Sequence, residues 1–320
     1  MTNTLVVVLG PTAVGKTELS IRLAKLLSCD IISADSRQIY QQIDIGTAKP
    51  TKEEQQEVRH HFIDILPLDQ YYSAAQYEAD ALQLITSAFN RQSHQFSSPK
   101  EQGAGICQLM VGGSMMYIDA VTKGIDDIPT IEDDTRAMMR HKFETEGLDA
   151  LCAELRLLDP EYYDLVDKKN HKRIVHALEI CYQTGRTYTS FRKNQAKSRP
   201  FRIVKIGLRR ERANLFQRIN QRVDLMMQQG LMDEAQRLYP LRHLNSLNTV
   251  GYKELFKVIE GEWELPMAVE RIKKNTRVYA KKQMTWFAHD TEIHWIDVDK
   301  WPVEQQIQQI CDLLESKAEE

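Results

Sequence analysis

Gly10-Pro11-Thr12-Ala13-Val14-Gly15-Lys16-Thr17 fits G-x-x-x-x-G-K-[ST], the phosphate-loop (P-loop) pattern, in the context that pattern requires. Before it stands Leu5-Val6-Val7-Val8-Leu9, an apolar, β-branched run of strand length. After it, Glu18 to Leu27 carries Leu19, Leu23, Leu26 and Leu27 at the spacing of one helical face. Strand, glycine-bounded turn and helix in this order predict an α/β fold with a parallel sheet. Gly10 and Gly15 let the backbone bend around an anion, so the loop between them turns successive N–H groups toward phosphate oxygens. The helix N-terminus adds unpaired donors and the positive end of its dipole. Lys16 supplies a point charge for the outer phosphate, and the Thr17 hydroxyl suits a Mg²⁺ ligand. A polyphosphate is expected here, with ATP the default guess from the loop alone.

Working outward, 320 residues suffice for two domains or for one domain with a large insertion, and 42% hydrophobic with 27% charged residues is ordinary for a globular chain. No stretch nears the roughly twenty apolar residues of a membrane span, so no membrane partner is expected. Residues 5–9 run straight into the loop, so no signal peptide is read and a cytoplasmic setting is expected. The cysteines (29, 107, 152, 181 and 311) are scattered, without C-x-x-C or zinc spacing, and predict free thiols. The net charge of −3 argues against nucleic acid, but its distribution does not. From Phe191 to Arg222 there are eleven Lys/Arg against Glu211, and from Ala268 to Lys282 six against Glu270. Acid gathers elsewhere, at Asp126, Asp127, Glu132, Asp133 and Asp134. Two basic runs in a mildly acidic chain are a polyanion footprint.

Further along, Asp30-Ile31-Ile32-Ser33-Ala34-Asp35 reads as a second strand ending in a carboxylate. Ligands sit at the carboxyl ends of strands in open α/β sheets, so Asp35 should face the loop. The residue types leave three roles open: a metal carboxylate, a general base on an acceptor, or a cap on the next turn. Ser36 to Pro50 is a polar, glycine-containing stretch expected to serve as a lid or substrate contact. His61-Phe62-Ile63-Asp64-Ile65 reads as a strand, Tyr72–Asn90 as a helix and Ser93–Gly105 as a surface loop. Cys107–Val111 reads as a strand that ends in Gly112-Gly113-Ser114, where glycines permit close backbone approach to a ligand. Met115 and Met116 then read as core filling. From Lys123 to Pro200 the strand–helix alternation stops, and helical patterns occupy Glu132–Glu146, Leu148–Leu158 and His171–Thr184. Strands resume at Ile203–Leu208, followed by a helix with Arg212, Arg218 and Arg222 near one face, and at Ile293–Val298.

These motifs resemble the tRNA dimethylallyltransferases (tRNA isopentenyltransferases) along nearly the whole chain. The shared pieces are Gly10–Thr17, Ser33-Ala34-Asp35-Ser36, Tyr40 with Asp44-Ile45-Gly46-Thr47-Ala48-Lys49-Pro50, Val111–Ser114, Arg173 with Ala177-Leu178-Glu179, Arg218–Arg222, Val250-Gly251-Tyr252-Lys253, and Lys281-Lys282-Gln283-Met284-Thr285-Trp286. The resemblance implies a P-loop NTPase-like parallel-sheet core, residues 1–122 and 201–320, with an all-helical tRNA-binding insertion, residues 123–200. It implies transfer of the dimethylallyl group of dimethylallyl diphosphate to N6 of the adenine at tRNA position 37, with diphosphate leaving. The loop Gly10, Pro11, Thr12, Ala13, Val14, Gly15, Lys16 and Thr17 would cradle that diphosphate, with Mg²⁺ on Thr17. Asp35 would be the general base. Ser114 and Arg222 would contact the reacting groups or phosphates. Asp35, Ser36, Arg37, Gln38, Ser114, Arg136, Arg173, Val250, Gly251, Tyr252 and Lys253 would meet the anticodon stem-loop of tRNA, bound by a monomer. This chain has Ser114 where the family usually has Thr, and His176 where it usually has Arg. Two other classes compete: a P-loop kinase using Mg-ATP, which explains the first 35 residues equally well, and a non-catalytic RNA-binding module, which leaves Asp35 unused.

Overall fold

The computed structural model describes residues 3–93, 106–193 and 195–316. Residues 94–105, nearly all of the loop expected at Ser93–Gly105, lie outside them. The described residues form two compact units, Met1–Thr122 with Arg199–Glu320, and Lys123–Ser198.

The first unit is built on six parallel strands: β1 (Thr4–Leu9), β2 (Ile31–Ala34), β3 (His60–His61), β4 (Cys107–Gly112), β5 (Arg202–Arg209) and β6 (Ile293–Asp297), in the order β3-β2-β4-β1-β5-β6. The run in β1 is apolar throughout because both faces are covered: Leu5, Val7 and Leu9 enter one core, Val6 and Val8 the other. Around the sheet lie α1 (Lys16–Leu26), α2 (Lys52–Glu57), α3 (Ala74–Ser93), α4 (Met115–Thr122), and later α8 (Arg212–Gln228), α9 (Leu231–Leu238), α10 (Tyr252–Ile259), α11 (Leu265–Phe287) and α12 (Val303–Ser316). The first helix starts at Lys16 rather than Glu18, so the loop's lysine and threonine are its first residues. Leu19 and Leu23 are buried as expected, but Leu26 is 57% exposed.

The expected strand His61–Ile65 is a correction. Only His60 and His61 pair with β2, and Phe62 (φ 63°) and Asp64 (φ 56°) turn left-handed, which no strand sustains. Of the two methionines read as core filling, Met115 packs on the core while Met116 is exposed.

The second unit is helical: α5 (Asp133–Leu158), α6 (Pro160–Leu165) and α7 (His171–Thr184). Gly147, at φ 79° and ψ 176°, breaks α5 where the sequence pattern shows two helices. Met139, Leu151, Leu155, Tyr162, Ile174, Ala177 and Leu178 form its core. Buried Asp159 accepts from the Tyr162 amide, the Thr189 amide and the Thr189 hydroxyl, tying the segment after α7 to the start of α6. The unit ends at Ser198, two residues before the expected boundary. The next residue belongs to the sheet unit because the Arg199 guanidinium donates to Glu78, the Ala120 carbonyl and the Val121 carbonyl.

Candidate active site

Strand register assembles the site. Leu9 of β1 pairs with Gly112 of β4, and Gly112 pairs with Ala34 of β2, so three adjacent strands end at one level. The residues that follow those ends are Gly10, Asp35 and Gly113. A Cβ at Gly112 would stand 2.1 Å from the Ala34 carbonyl oxygen, so only glycine lets β2 and β4 close here.

The loop takes the dihedrals an anion cradle needs. Gly15 is left-handed (φ 115°), and so is Ala13 (φ 63°), a conformation costly for alanine and held by its surroundings. Part of that hold comes from α8 and the end of β5: Arg218 Nε of α8 donates to the Ala13 carbonyl (3.0 Å), and Arg210 Nε, just past β5, donates to the Val14 carbonyl (2.9 Å). Lys16 Nζ donates back to the carbonyls of Gly10 (3.0 Å) and Pro11 (2.8 Å). Burial first, then the Arg222 charge, pushes the Lys16 ammonium from 10.5 down to about 7, while Asp35 pulls it back up. Burial, seconded by Arg218, also lowers the Arg222 guanidinium. Two cations held at a common point with little solvent make an anion-hungry site.

Asp35 follows β2 directly. Its Oδ1 accepts from the amides of Arg37 (2.8 Å) and Gln38 (3.2 Å), so one oxygen caps the turn. Capping thus occupies one oxygen of the carboxylate, and the cap reading coexists with the base reading. Arg37 Nη1 donates to the carbonyls of Asn245 and Ser246, and Gln38 Nε2 donates to those of Thr47 and Ala48.

The stretch expected as a lid is a pinned wall. Glu234 of α9, 1% exposed, accepts from three successive amides, those of Asp44 (3.1 Å), Ile45 (3.0 Å) and Gly46 (2.9 Å). It also accepts from the Tyr252 hydroxyl at 2.6 Å. Lys49 donates to the Tyr40 carbonyl and pairs with Asp44 and Asp64. The wall is placed by a carboxylate nearly two hundred residues away in sequence.

All of this opens on one cavity of about 440 Å³. Thr12, Ala13, Gly15, Lys16, Thr17, Asp35 and Arg222 contribute its polar side, and Ile219, Val223, Met226, Leu231 and Ile272 an apolar side. Ser36, Arg37, Gln38, Val250, Gly251 and Lys253 also line it. Tyr279 lies in the same wall, its phenol pushed up to about 12 by burial and then by Asp35.

A protein-family model described as IPP transferase matches residues 38–290. A tRNA dimethylallyltransferase of Phocaeicola vulgatus is 57% identical over 300 residues, covering 94% of this chain and 96% of its own. One from Bacteroides thetaiotaomicron is 58% identical over 292 residues, covering 91% of each chain. The chain belongs to the tRNA dimethylallyltransferase family. Among solved structures, the tRNA isopentenylpyrophosphate transferase of Bacillus halodurans is 36% identical, covering 99% of this chain and 97% of its own, at a TM-score of 0.70. A eukaryotic dimethylallyltransferase crystallised acting on tRNA shares the fold at a TM-score of 0.79, at 23% identity.

For a tRNA dimethylallyltransferase, several residues inferred from the motifs fall outside the cavity. Tyr252 is a correction: it is fully buried, its ring against Gly46 and its hydroxyl on Glu234, so it shapes the wall and offers no surface to tRNA. Ser114 starts the turn into α4 with its amide on the Ala34 carbonyl, one residue past the wall at Gly113. Arg136 and Arg173 lie in the helical unit, Arg136 with Nε on the Ile131 carbonyl and Arg173 exposed on α7. A part of the basic runs is tied up within the protein. Arg199 is buried against Glu78, Lys205 against Asp290 and Glu292, and Arg210 pairs with Asp299. Lys273 pairs with Asp224 and Glu270. These residues neutralise the protein's own carboxylates, while Arg218 and Arg222 of the same run meet the loop and the cavity. Sequence reasoning also missed Glu234 and Gln283, whose side chains organise the wall and the loop. The Lys281–Trp286 motif was the available signal for Gln283; a pair of acids, Asp233 and Glu234, in the first turn of a short helix offered none for Glu234.

Proposed function

We propose that this protein transfers the dimethylallyl group of dimethylallyl diphosphate to N6 of adenine 37 in the anticodon stem-loop of tRNA, releasing diphosphate. The carrying observation is the convergence of the loop, Arg222 and Asp35 on one cavity that also has an apolar wall. The loop amides, Lys16 and Arg222 take the charge that builds on the departing diphosphate oxygen as the allylic C–O bond breaks. Asp35, beside that point, accepts the N6 proton; an exocyclic adenine amine is a poor nucleophile without such a partner. The apolar wall from Ile219 to Ile272 suits a five-carbon chain and keeps water from the allylic carbon. The adenine has to leave its stack to reach this depth.

The Thr17 hydroxyl is a donor of the kind that Mg²⁺ takes. Thr17 offers that hydroxyl on the cavity wall, at the start of α1 beside the loop. A cation that keeps mostly phosphate and water ligands suits that environment. Thr17 would hold it, and when bound it supplies further neutralisation of the leaving diphosphate. Among the described residues no helix is long and apolar enough to cross a membrane, and a cytoplasmic setting, where tRNA is met, fits this reading.

One assay decides between the classes: protein, dimethylallyl diphosphate, Mg²⁺ and an anticodon stem-loop with adenine at position 37. Prenylated RNA is the expected product; ATP consumption without prenyl transfer would return the kinase reading, and RNA binding alone the module. The helical unit, with Arg173, Lys168 and Lys172 exposed, would grip the stem by phosphates. Binding should therefore weaken with a log–log salt slope steeper than about −2, since each phosphate contact contributes roughly −0.7 to −0.9. A flat dependence would remove phosphate gripping from the account.

Lys16 gives the site a pH signature. An anion favours its ammonium form, and the free protein releases that proton above about 7. Affinity for inorganic pyrophosphate should fall as pH rises from about 7 to 9, by up to about tenfold per unit, relative to a Lys16→Arg variant that stays charged. Parallel profiles for the two proteins would refute the assignment.

A further inference from the structure

One face of α11 runs along the cavity. Ile272, Thr276, Tyr279 and Gln283 all line it, and their spacing of four, three and four residues keeps them on one side of a helix. Ile272 is 3% exposed and Tyr279 is 40% exposed. Seven residues of helix span about 10 Å, so this face leads from the apolar wall at Ile272 to the solvent edge of the cavity at Tyr279. One turn further on, Gln283 turns inward. Its Oε1 accepts from the Thr12 amide (3.0 Å) and its Nε2 donates to the Gly113 carbonyl (2.8 Å), which fixes the helix against the loop and the end of β4.

The fold makes no use of the Tyr279 ring. Two other tyrosines lie within reach of the Asp35 charge, Tyr77 and Tyr117, but they stack on each other with centroids 4.0 Å apart. The Tyr77 hydroxyl also donates to the Ser33 carbonyl. Tyr252 is spent on Glu234. Among the described residues, by contrast, the Tyr279 side chain has no hydrogen bond and no ring or cation packed on its face. The charges it feels are those of Asp35 and Arg37. A five-carbon chain already has apolar walls deeper in, at Ile219, Val223, Met226, Leu231 and Ile272. A half-open aromatic ring at the edge, beside the carboxylate, suits a flat π-system, and unstacked RNA bases are held on such rings.

We propose that the ring of Tyr279 is the platform on which the extruded acceptor adenine stacks, its amine edge turned to Asp35. This rests on the reading of the cavity as the place of prenyl transfer to adenine, and it adds the residue that holds the acceptor there. The stack replaces part of what the base loses on leaving its neighbours in the RNA. The ring does this, and the hydroxyl takes no proton in the chemical step.

The test measures binding of two anticodon stem-loop RNAs to the full chain, one with adenine at position 37 and one with an abasic nucleotide there. Tyr279→Leu keeps an apolar side chain and removes the ring. It should weaken binding of the adenine RNA about tenfold, the scale of one base–aromatic stack, and leave the abasic RNA within about twofold. Undiminished abasic binding also shows that the variant folds. Tyr279→Phe and Tyr279→Trp each restore a ring and should recover the loss. In turnover the loss should fall on kcat/KM for the stem-loop, with KM for dimethylallyl diphosphate unmoved. Leucine binding the adenine RNA as tightly as the wild type overturns the proposal. So does an equal loss for both RNAs, which marks the ring as packing for the site as a whole. A loss that falls on dimethylallyl diphosphate instead gives the ring to the donor and overturns it too. Prenyl transfer by the wild type, measured in parallel, separates the two ideas: transfer without the selective loss sinks the role of Tyr279 alone, and absence of transfer sinks the prenyl-transfer reading itself.

Discussion

Asp35→Asn should cut the rate of prenyl transfer by at least about a hundredfold, the low end of what a positioned general base contributes. Asparagine is the informative replacement because Asp35 does two things. Its Oδ1 caps the amides of Arg37 and Gln38, and an asparagine oxygen can keep that cap. What asparagine cannot do is take a proton from the adenine amine. The turn, the cavity and tRNA affinity should survive, and the loss should fall on kcat measured at saturating substrates. Asp35→Ala removes the cap as well and should add a loss of stability of about 1 kcal/mol. An asparagine variant retaining more than about a tenth of the rate would leave Asp35 as a capping residue and end the base assignment.

Glu234→Ala should destabilise the protein by about 3–5 kcal/mol, the range for leaving a buried, hydrogen-bonded charged cluster without its centre. Three consecutive amides and a tyrosine hydroxyl converge on this carboxylate. Removing it strands donors that water cannot easily reach, and an unmet buried donor costs about 1–3 kcal/mol. Tyr252→Phe removes one donor together with its need, so it should cost only about 1 kcal/mol. In a double-mutant cycle the two changes should couple, because they share a hydrogen bond. Denaturant unfolding measures all of these. A Glu234→Ala midpoint indistinguishable from wild type would mean the Asp44–Gly46 wall is held by its other ties, Lys49 above all. With the wall loosened, KM for tRNA should rise in variants that still fold.

The strands of the core were largely legible. Leu5–Leu9, Cys107–Val111, Ile203–Leu208 and Ile293–Val298 emerge as β1, β4, β5 and β6 within a residue or two, because apolar β-branched runs next to glycine carry their own signal. His61–Ile65 misled because composition there is strand-like while Phe62 and Asp64 adopt positive φ, which composition does not reveal. A part of the basic runs is internal for a related reason. A lysine such as Lys205 looks like a surface charge until the fold sets Asp290 and Glu292 beside it. Tyr252 was taken with its motif as a contact residue, but the motif's job at that position is internal.

The amino-acid order by itself determined the chemistry of Gly10–Thr17. Its glycines, its lysine and the helix behind it are neighbours in the chain, and local dihedrals with a helix terminus are enough to make an anion cradle. Only the tertiary structure decided what that cradle faces. Strand order β2-β4-β1 brings Asp35 and Gly113 beside the loop. Contacts spanning 271 residues for Gln283 and 190 for Glu234 brace its first half and fix the opposite wall. Such pairings leave no period or spacing in a sequence, because they depend on where strands stack and helices cross rather than on which residues adjoin.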